Sequence, residues 1–350
     1  MNIPGPRSGS DITRRQRRGN IDMHTMTKRE RVLATIEGRE VDRIPLSMWY
    51  HLPQFDQDPI ALAEEQIRLA KLYGLDFIKM MPFGNYVAQD YGLSVDFFCT
   101  KDQAAFERKF GIASVEEWKQ LEPLPATYGT YGKQLQLSQQ MNKRLKEDIP
   151  YIQTIFTPLT VAKKLAGPRV FEDMRSFPDY LHQALEAITQ TTINFVKANI
   201  EAGVSGFFLA TQCATSDYIT LAEHKEFGEA YDLKVIESFA NVTPINILHI
   251  HGTNTYFEEL TKYPVNCLNW HDRWAGPSMT QARKLTDKCL VGGINEKWLE
   301  HARYEEVGEH LHQAVEEAGR TKLILAPGCC IEMDTPEINL MAVSVADRSL

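Results

Sequence analysis

From Thr27 to Ala346 the chain alternates short apolar runs with longer amphipathic stretches, and this alternation constrains the fold more than any other feature. A short apolar run reads as a buried strand, and a period near 3.6 reads as a helix. The strand segments are Arg43 to Trp49, Asp76 to Met81, Tyr151 to Thr157, Gly206 to Gln212, Ile245 to His251, Cys267 to His271, Cys289 to Ile294 and Lys322 to Ala326. The predicted helices between and after them are Asp58-Pro59 to Tyr73, a polar helix near Gln134 to Lys146, Pro178 to Ala202, Ala222 to Ala240, Tyr256 to Lys262, Met279 to Asp287, Glu305 to Ala318 and Pro336 to Ala346. Thr27 opens a further helix, with Glu30 as its capping-box partner and Gly38 as its stop. Repeated strand–helix units imply a parallel sheet, and eight of them imply a closed (β/α)8 TIM barrel in the α/β class. A doubly wound open sheet is the competing architecture, but no Gly-rich phosphate-binding turn follows the first strand. The stretch from Gly92 to Pro150 breaks the pattern and is expected to form an insertion after the second strand, beside the barrel mouth.

Composition bounds the function classes. With 43% hydrophobic and 24% charged residues in 350, the chain is ordinary globular protein rather than a disordered or fibrous one. A formal net charge of -8 repels a long polyanion, so no nucleic acid is expected as partner. No apolar stretch approaches the 18 residues of a membrane helix, so no membrane is expected either. The six cysteines are too scattered for a disulfide scaffold, and no apolar signal segment follows the N-terminus. A reducing, cytoplasmic location is the expectation, with thiols free for metal. Residues 1–25 carry five arginines without an apolar pattern. They read as a disordered leader or an over-long gene start ahead of a single barrel domain at 26–350, rather than a transit peptide or nucleic-acid arm.

In a TIM barrel the chemistry sits at the C-terminal strand ends. The fifth strand ends on His249-Ile250-His251, the sixth on Asn269-Trp270-His271-Asp272, and the eighth on Pro327-Gly328-Cys329-Cys330. His249 and His251 are two apart and therefore share a face. A His, His and Cys set with an open fourth position suits catalytic zinc. The other reading is that these histidines only hydrogen-bond in a polar mouth. Asn269 and His271 share a face, and His271 with Asp272 forms a candidate acid/base pair; a hydrogen-bonded rim explains them equally. Tyr50, His51, Tyr86, Gln212 and Tyr218 are expected to line the substrate pocket unless they serve packing alone. Cys330 is expected to point away from the site, because adjacent strand residues face opposite sides.

The motifs Arg31-Val32-Leu33, Val41-Asp42-Arg43-Ile44-Pro45, Gly292-Gly293-Ile294-Asn295 and the stretch from Leu323 to Thr335-Pro336 with Asn339 resemble the uroporphyrinogen decarboxylase superfamily of (β/α)8 barrels. The resemblance runs from about Thr27 to Ala346. True decarboxylases of that superfamily carry an arginine pair in R-Q-A-G-R before L-P-E-F or L-P-E-Y, and an aspartate after the second strand. The matching stretches here are Met48-Trp49-Tyr50-His51-Leu52-Pro53-Gln54-Phe55 and Lys79-Met80-Met81-Pro82-Phe83, which hold neither. A polycarboxylate substrate needs cationic partners, because buried unpaired carboxylates are costly. The other branch contains zinc methyltransferases that work with corrinoid proteins. Their ligands are H-x-C on the fifth strand and the Cys of P-G-C on the eighth. By this resemblance His249, His251 and Cys329 are the metal ligands, with His251 standing where the family has Cys.

That substitution raises the charge of a zinc centre from zero to about +1. Polarising a methyl-ether oxygen or holding an anionic acceptor then becomes as suitable a task as thiol activation. The resemblance implies a zinc-dependent methyltransferase moving a methyl group to or from a corrinoid carried by a partner protein, or a small methylated substrate. A porphyrinogen decarboxylase and a non-catalytic small-molecule-binding barrel are the alternatives.

Overall fold

The computed structural model describes residues 25–145 and 149–350. The predicted leader therefore lies, apart from Thr25, outside the described residues. In chain order the strands are β1 (Ile78–Lys79), β2 (Ser94–Asp96), β3 (Phe106–Lys109), β4 (Tyr151–Phe156), β5 (Gly206–Thr211), β6 (Ile245–Ile250), β7 (Cys267–Trp270), β8 (Cys289–Ile294) and β9 (Leu323–Pro327). Seven of them form one parallel sheet in the order β1-β4-β5-β6-β7-β8-β9, while β2 and β3 pair as a separate antiparallel hairpin.

The eighth barrel position belongs to the segment predicted as the first strand. Pro45 has no N–H to give to a ladder, and the pairing there is sparse. Leu46 bridges Leu325 in parallel, Ser47 N donates to Leu325 O, and Leu325 N donates to Pro45 O. On the opposite side Asp76 N donates to Leu46 O. These bonds place the segment between β9 and β1 and close the ring, so the expected (β/α)8 barrel is the observed fold. Charge fixes the closure from below. The buried Asp76 carboxylate accepts from Arg31 Nη1 at 2.6 Å, Arg43 Nη1 at 2.8 Å and Leu46 N at 2.8 Å.

Every residue of β4, β5 and β6 is buried, as a parallel sheet between a packed interior and outer helices requires. At the base of β5 only glycine fits, because a Cβ on Gly206 would lie 1.7 Å from Ile245 O. The first helix, Lys28–Glu37, carries the expected capping box of Thr27 and Glu30 and ends at Gly38 with φ 77. The helix predicted over Ala222 to Ala240 forms in three pieces, Leu221–Glu223, a π-helical His224–Glu229, and Ala230–Glu237.

The insertion is shorter than the sequence pattern suggests. Gly129–Leu145 is a full helix that packs on helix Pro59–Leu72 and fills the place of a barrel helix. Its buried stripe of Tyr131, Leu135, Met141 and Leu145 is diluted by Gln, Lys and Ser, which disguises the period. Asp90 accepts from the backbone of Thr130 and Tyr131 at its first turn. The remaining inserted residues hold the β2–β3 hairpin, and Ala104, Ala105 and Glu107 from it wall the barrel mouth. Among the described residues no helix is long and apolar enough to cross a membrane.

Candidate metal centre

A cavity of about 330 Å³ opens at the C-terminal ends of the strands. His249 sits in β6, His251 just beyond it, His271 just beyond β7, and Cys329 just beyond β9. One ligand atom from each of these four residues lies within 4.8 Å of the other three. His271 Nε2 is 3.2 Å from His251 Nδ1, and Cys329 Sγ is 3.8 Å from the same atom. The sequence expectation named His249, His251 and Cys329 as ligands and His271 as an acid/base; the fold brings all four together.

The ring orientations follow from hydrogen bonds around them. Asn269 is the register partner of His249 across β6 and β7. Its amide donates to Val291 O at 2.7 Å and Pro327 O at 3.0 Å, which turns its oxygen toward His249. His249 Nδ1 donates to that oxygen at 2.6 Å, leaving Nε2 free for the cluster. His271 Nδ1 lies 2.7 Å from Glu296 Oε1, so its Nε2 faces His251. Trp274 Nε1 donates to the same Glu296 oxygen at 3.0 Å. An amide behind His249 and a carboxylate behind His271 are the arrangement that orients metal-binding histidines. The other oxygen of buried Glu296 has no hydrogen-bond partner. Gly328 lets the Cys329 turn approach, since a Cβ there would lie 2.7 Å from Trp270 O and 3.1 Å from Glu296 Oε2.

Electrostatics suits a cation. Burial, then the charge of His271, pushes His251 down to about 4. Burial, then His251 and His271, holds His249 well below the ordinary histidine range. Both therefore offer neutral nitrogen at pH 7. The hydrogen bond with Cys330, then burial, raises the Cys329 thiol well above its usual value. Metal binding there would release a proton. Three imidazoles and one thiolate fit zinc in residue type and number.

The other sequence-predicted residues divide. His51 and Gln212 line the cavity. Tyr50 lies on the far side of the 50–54 segment, in a smaller recess with Arg68 and Tyr73. Tyr86 is fully buried behind the wall, where its hydroxyl donates to Thr154 O at 2.8 Å. Tyr218 is exposed and stacks on Phe171 with centroids 5.1 Å apart. Asp272 does not line the cavity: its Oδ2 accepts from Gly293 N at 3.1 Å, and a Cβ on Gly292 would fall 2.6 Å from its Oδ1. Burial raises that carboxyl to about 8, so it holds a proton beneath the glycine backbone. Cys330 lines the cavity beside Cys329, contrary to the alternation argument. The strand ends at Pro327, and the turn beyond it has no period of two.

Sequence reasoning missed Lys79, Asp56 and Glu296. Lys79 is a buried cation inside an apolar strand, and Glu296 is two residues past a recognised strand end, so both carried a signal. Burial raises the Asp56 carboxyl to about 6, against the opposing influence of His51, and its Oδ1 has no partner.

The fold and this cluster define a (β/α)8 barrel with a His3Cys centre at its catalytic face. The family model described as Uroporphyrinogen decarboxylase (URO-D) matches residues 27–349, and the chain belongs to that family. The chain is 22% identical to the methylcobamide:CoM methyltransferase MtaA of Methanosarcina barkeri, over 93% of this chain and 98% of the relative. It is 24% identical to the chloroplastic uroporphyrinogen decarboxylase 2 of Arabidopsis thaliana, but over only 47% of this chain and 41% of that protein. A solved methyltransferase structure from Methanosarcina mazei superposes with a TM-score of 0.78 at 19% identity, covering 93% of this chain and 99% of that one.

Proposed function

We propose that this chain is a zinc-dependent methyltransferase that moves a methyl group between a corrinoid, carried by a partner protein, and a small molecule held in the barrel mouth. The observation that carries the reading is the convergence of His249, His251, His271 and Cys329 at the C-terminal face. The full-length similarity to a methylcobamide:CoM methyltransferase supports it.

His249 Nε2, His251 Nδ1, His271 Nε2 and Cys329 Sγ would hold the metal. When bound, zinc supplies Lewis acidity, which lowers the pKa of a thiol or polarises a methoxyl oxygen. Asn269 and Glu296 keep the imidazoles in the required orientation. Glu296 also adds a negative charge behind His271, offsetting the positive charge that three imidazoles and one thiolate leave on the centre. A substrate group brought beside Cys329 and His249, which also line the cavity, would receive the Lewis acidity of zinc held by the four side chains. Trp49, Phe83, Phe156 and Phe208 form an apolar wall of the cavity beside the cluster.

Decarboxylation of an octacarboxylate porphyrinogen fits poorly, because among the described residues the cavity lining offers two lysines, Lys79 and Lys164, and no arginine. The test is a two-substrate comparison. The protein is expected to transfer the methyl group from methylcobalamin to a thiol, leaving cob(I)alamin, or from a methoxyl compound to supplied cob(I)alamin, and Cys329→Ala to lose at least 100-fold of that rate. Turnover of uroporphyrinogen III at an ordinary enzymatic rate, about 1 s⁻¹ or more, would overturn the reading.

A further inference from the structure

Lys79 is buried in β1, at 5% exposure, and its ammonium group faces the cavity. Among the described residues it forms no ion pair. Its Nζ donates to Met81 Sδ at 2.7 Å and lies 4.4 Å from the centre of the Phe208 ring and 5.5 Å from that of Trp49. Aromatic faces and a thioether attract a cation, but they do not replace water or a carboxylate. An ammonium buried without an anion is costly to keep. Burial accordingly lowers the affinity of Lys79 for its proton. A second lysine stands in the same cavity. Lys164 Nζ donates to Asn85 Oδ1 at 3.1 Å, and Asn85 Nδ2 donates to Glu107 at 2.9 Å, so the cation of Lys164 is relayed to a carboxylate. Lys79 has no such relay.

We propose that Lys79 is the anchor for the negative group of a small, flat, apolar-bodied substrate, and that it selects anionic over neutral methyl compounds. The assignment rests on the methyltransferase reading for the rest of the site. Phe208 supplies the geometry. Its ring has Lys79 Nζ on one side and stacks on the His249 ring, with centroids 5.2 Å apart and planes 24° from parallel. A ligand whose charge rests on Lys79 is therefore held one ring, that of Phe208, away from the His249 imidazole. The cavity of about 330 Å³ holds one ring with its substituents. The other titratable groups at the cavity are Asp56, His51, Glu107, Lys164, His249, Cys329 and Cys330. Cys330 is the alternative counter-ion, since it and Lys79 influence one another electrostatically.

The probes are 3-methoxybenzoate and its neutral isostere 3-methoxybenzamide, titrated calorimetrically into the protein at pH 7, with zinc counted in the same samples. Wild type is expected to bind the benzoate at least tenfold more tightly. Lys79→Met is expected to erase that preference while leaving benzamide binding in place, and Lys79→Arg to keep it. Cys330→Ser is expected to keep it as well. Absence of benzoate binding, equal affinity of wild type for the two probes, or an unchanged preference in Lys79→Met overturns the proposal. So does a preference that emerges only in Cys330→Ser, which would make the Cys330 thiolate the partner of Lys79. The wild-type comparison needs no variant to fold. Zinc-free protein that keeps the preference contradicts the metal reading alone, and zinc-loaded protein without it contradicts the Lys79 assignment alone.

Discussion

Glu296 and His271 meet at 2.7 Å between two buried side chains, and that contact decides which imidazole nitrogen faces the cluster. A bond of this kind behind a metal ligand typically affects affinity 10–100-fold. Glu296→Ala is expected to weaken zinc binding on the order of 10–100-fold. Glu296→Gln, which can still accept from His271 Nδ1, should lose less. Competition against a chelator of known affinity measures both.

Part of this site is legible in the sequence. His249 and His251 lie on one strand, where a period of two settles that they share a face, and their ring centroids are 5.7 Å apart. Cys329 is marked by Pro327-Gly328 ahead of it, since the close backbone approach at Gly328 needs a glycine. His271 is legible as a strand-end residue but not as a member of the cluster. Its direction depends on Glu296, which arrives from beyond a different strand. The residues outside the barrel strands fare worst, because packing rather than spacing aims them. Tyr86 turns inward to Thr154, and Tyr218 turns outward to Phe171. The barrel itself reads well because its strands are continuous apolar runs. The helix Gly129–Leu145 reads only in part: a polar helix is expected near Gln134 to Lys146, but its first turn and its place among the barrel helices are hidden, because polar residues dilute its buried stripe.

Asp56 gives the cavity a pH signature. Its carboxyl ordinarily titrates at 3.8 and burial raises it to about 6 in the folded chain. A raised acid favours the folded state while protonated, so its contribution is fully present below pH 3.8 and is lost as pH rises to about 6. Above that window the ionised group costs on the order of 3 kcal/mol. Asp56→Asn should therefore gain thermal stability relative to wild type at pH 7 and gain little at pH 4. Melting curves at the two pH values, recorded side by side, check the sign.

Asp76 tests how the barrel closes. Its carboxylate receives Arg31, Arg43 and the backbone of Leu46, and Arg43 also reaches Asp347 at 2.9 Å. Removing one partner from a buried ionic network costs about 3–5 kcal/mol, because the remaining charges stay unpaired. Asp76→Ala should lose that much in urea unfolding. Zinc content of the fraction that remains folded should be unchanged, since Asp76 is not among the residues that line the mouth.

The central claim is that four side chains from three strand ends hold one metal ion, and zinc per chain measures it most directly. Wild-type protein is expected to carry about one zinc, the stoichiometry of a single four-ligand site. Cys329→Ala should lose most of it, because that change removes the only anionic ligand of the four. Cys330→Ala should retain it. Full zinc in Cys329→Ala, or no zinc in wild type prepared with the metal supplied, would contradict the account.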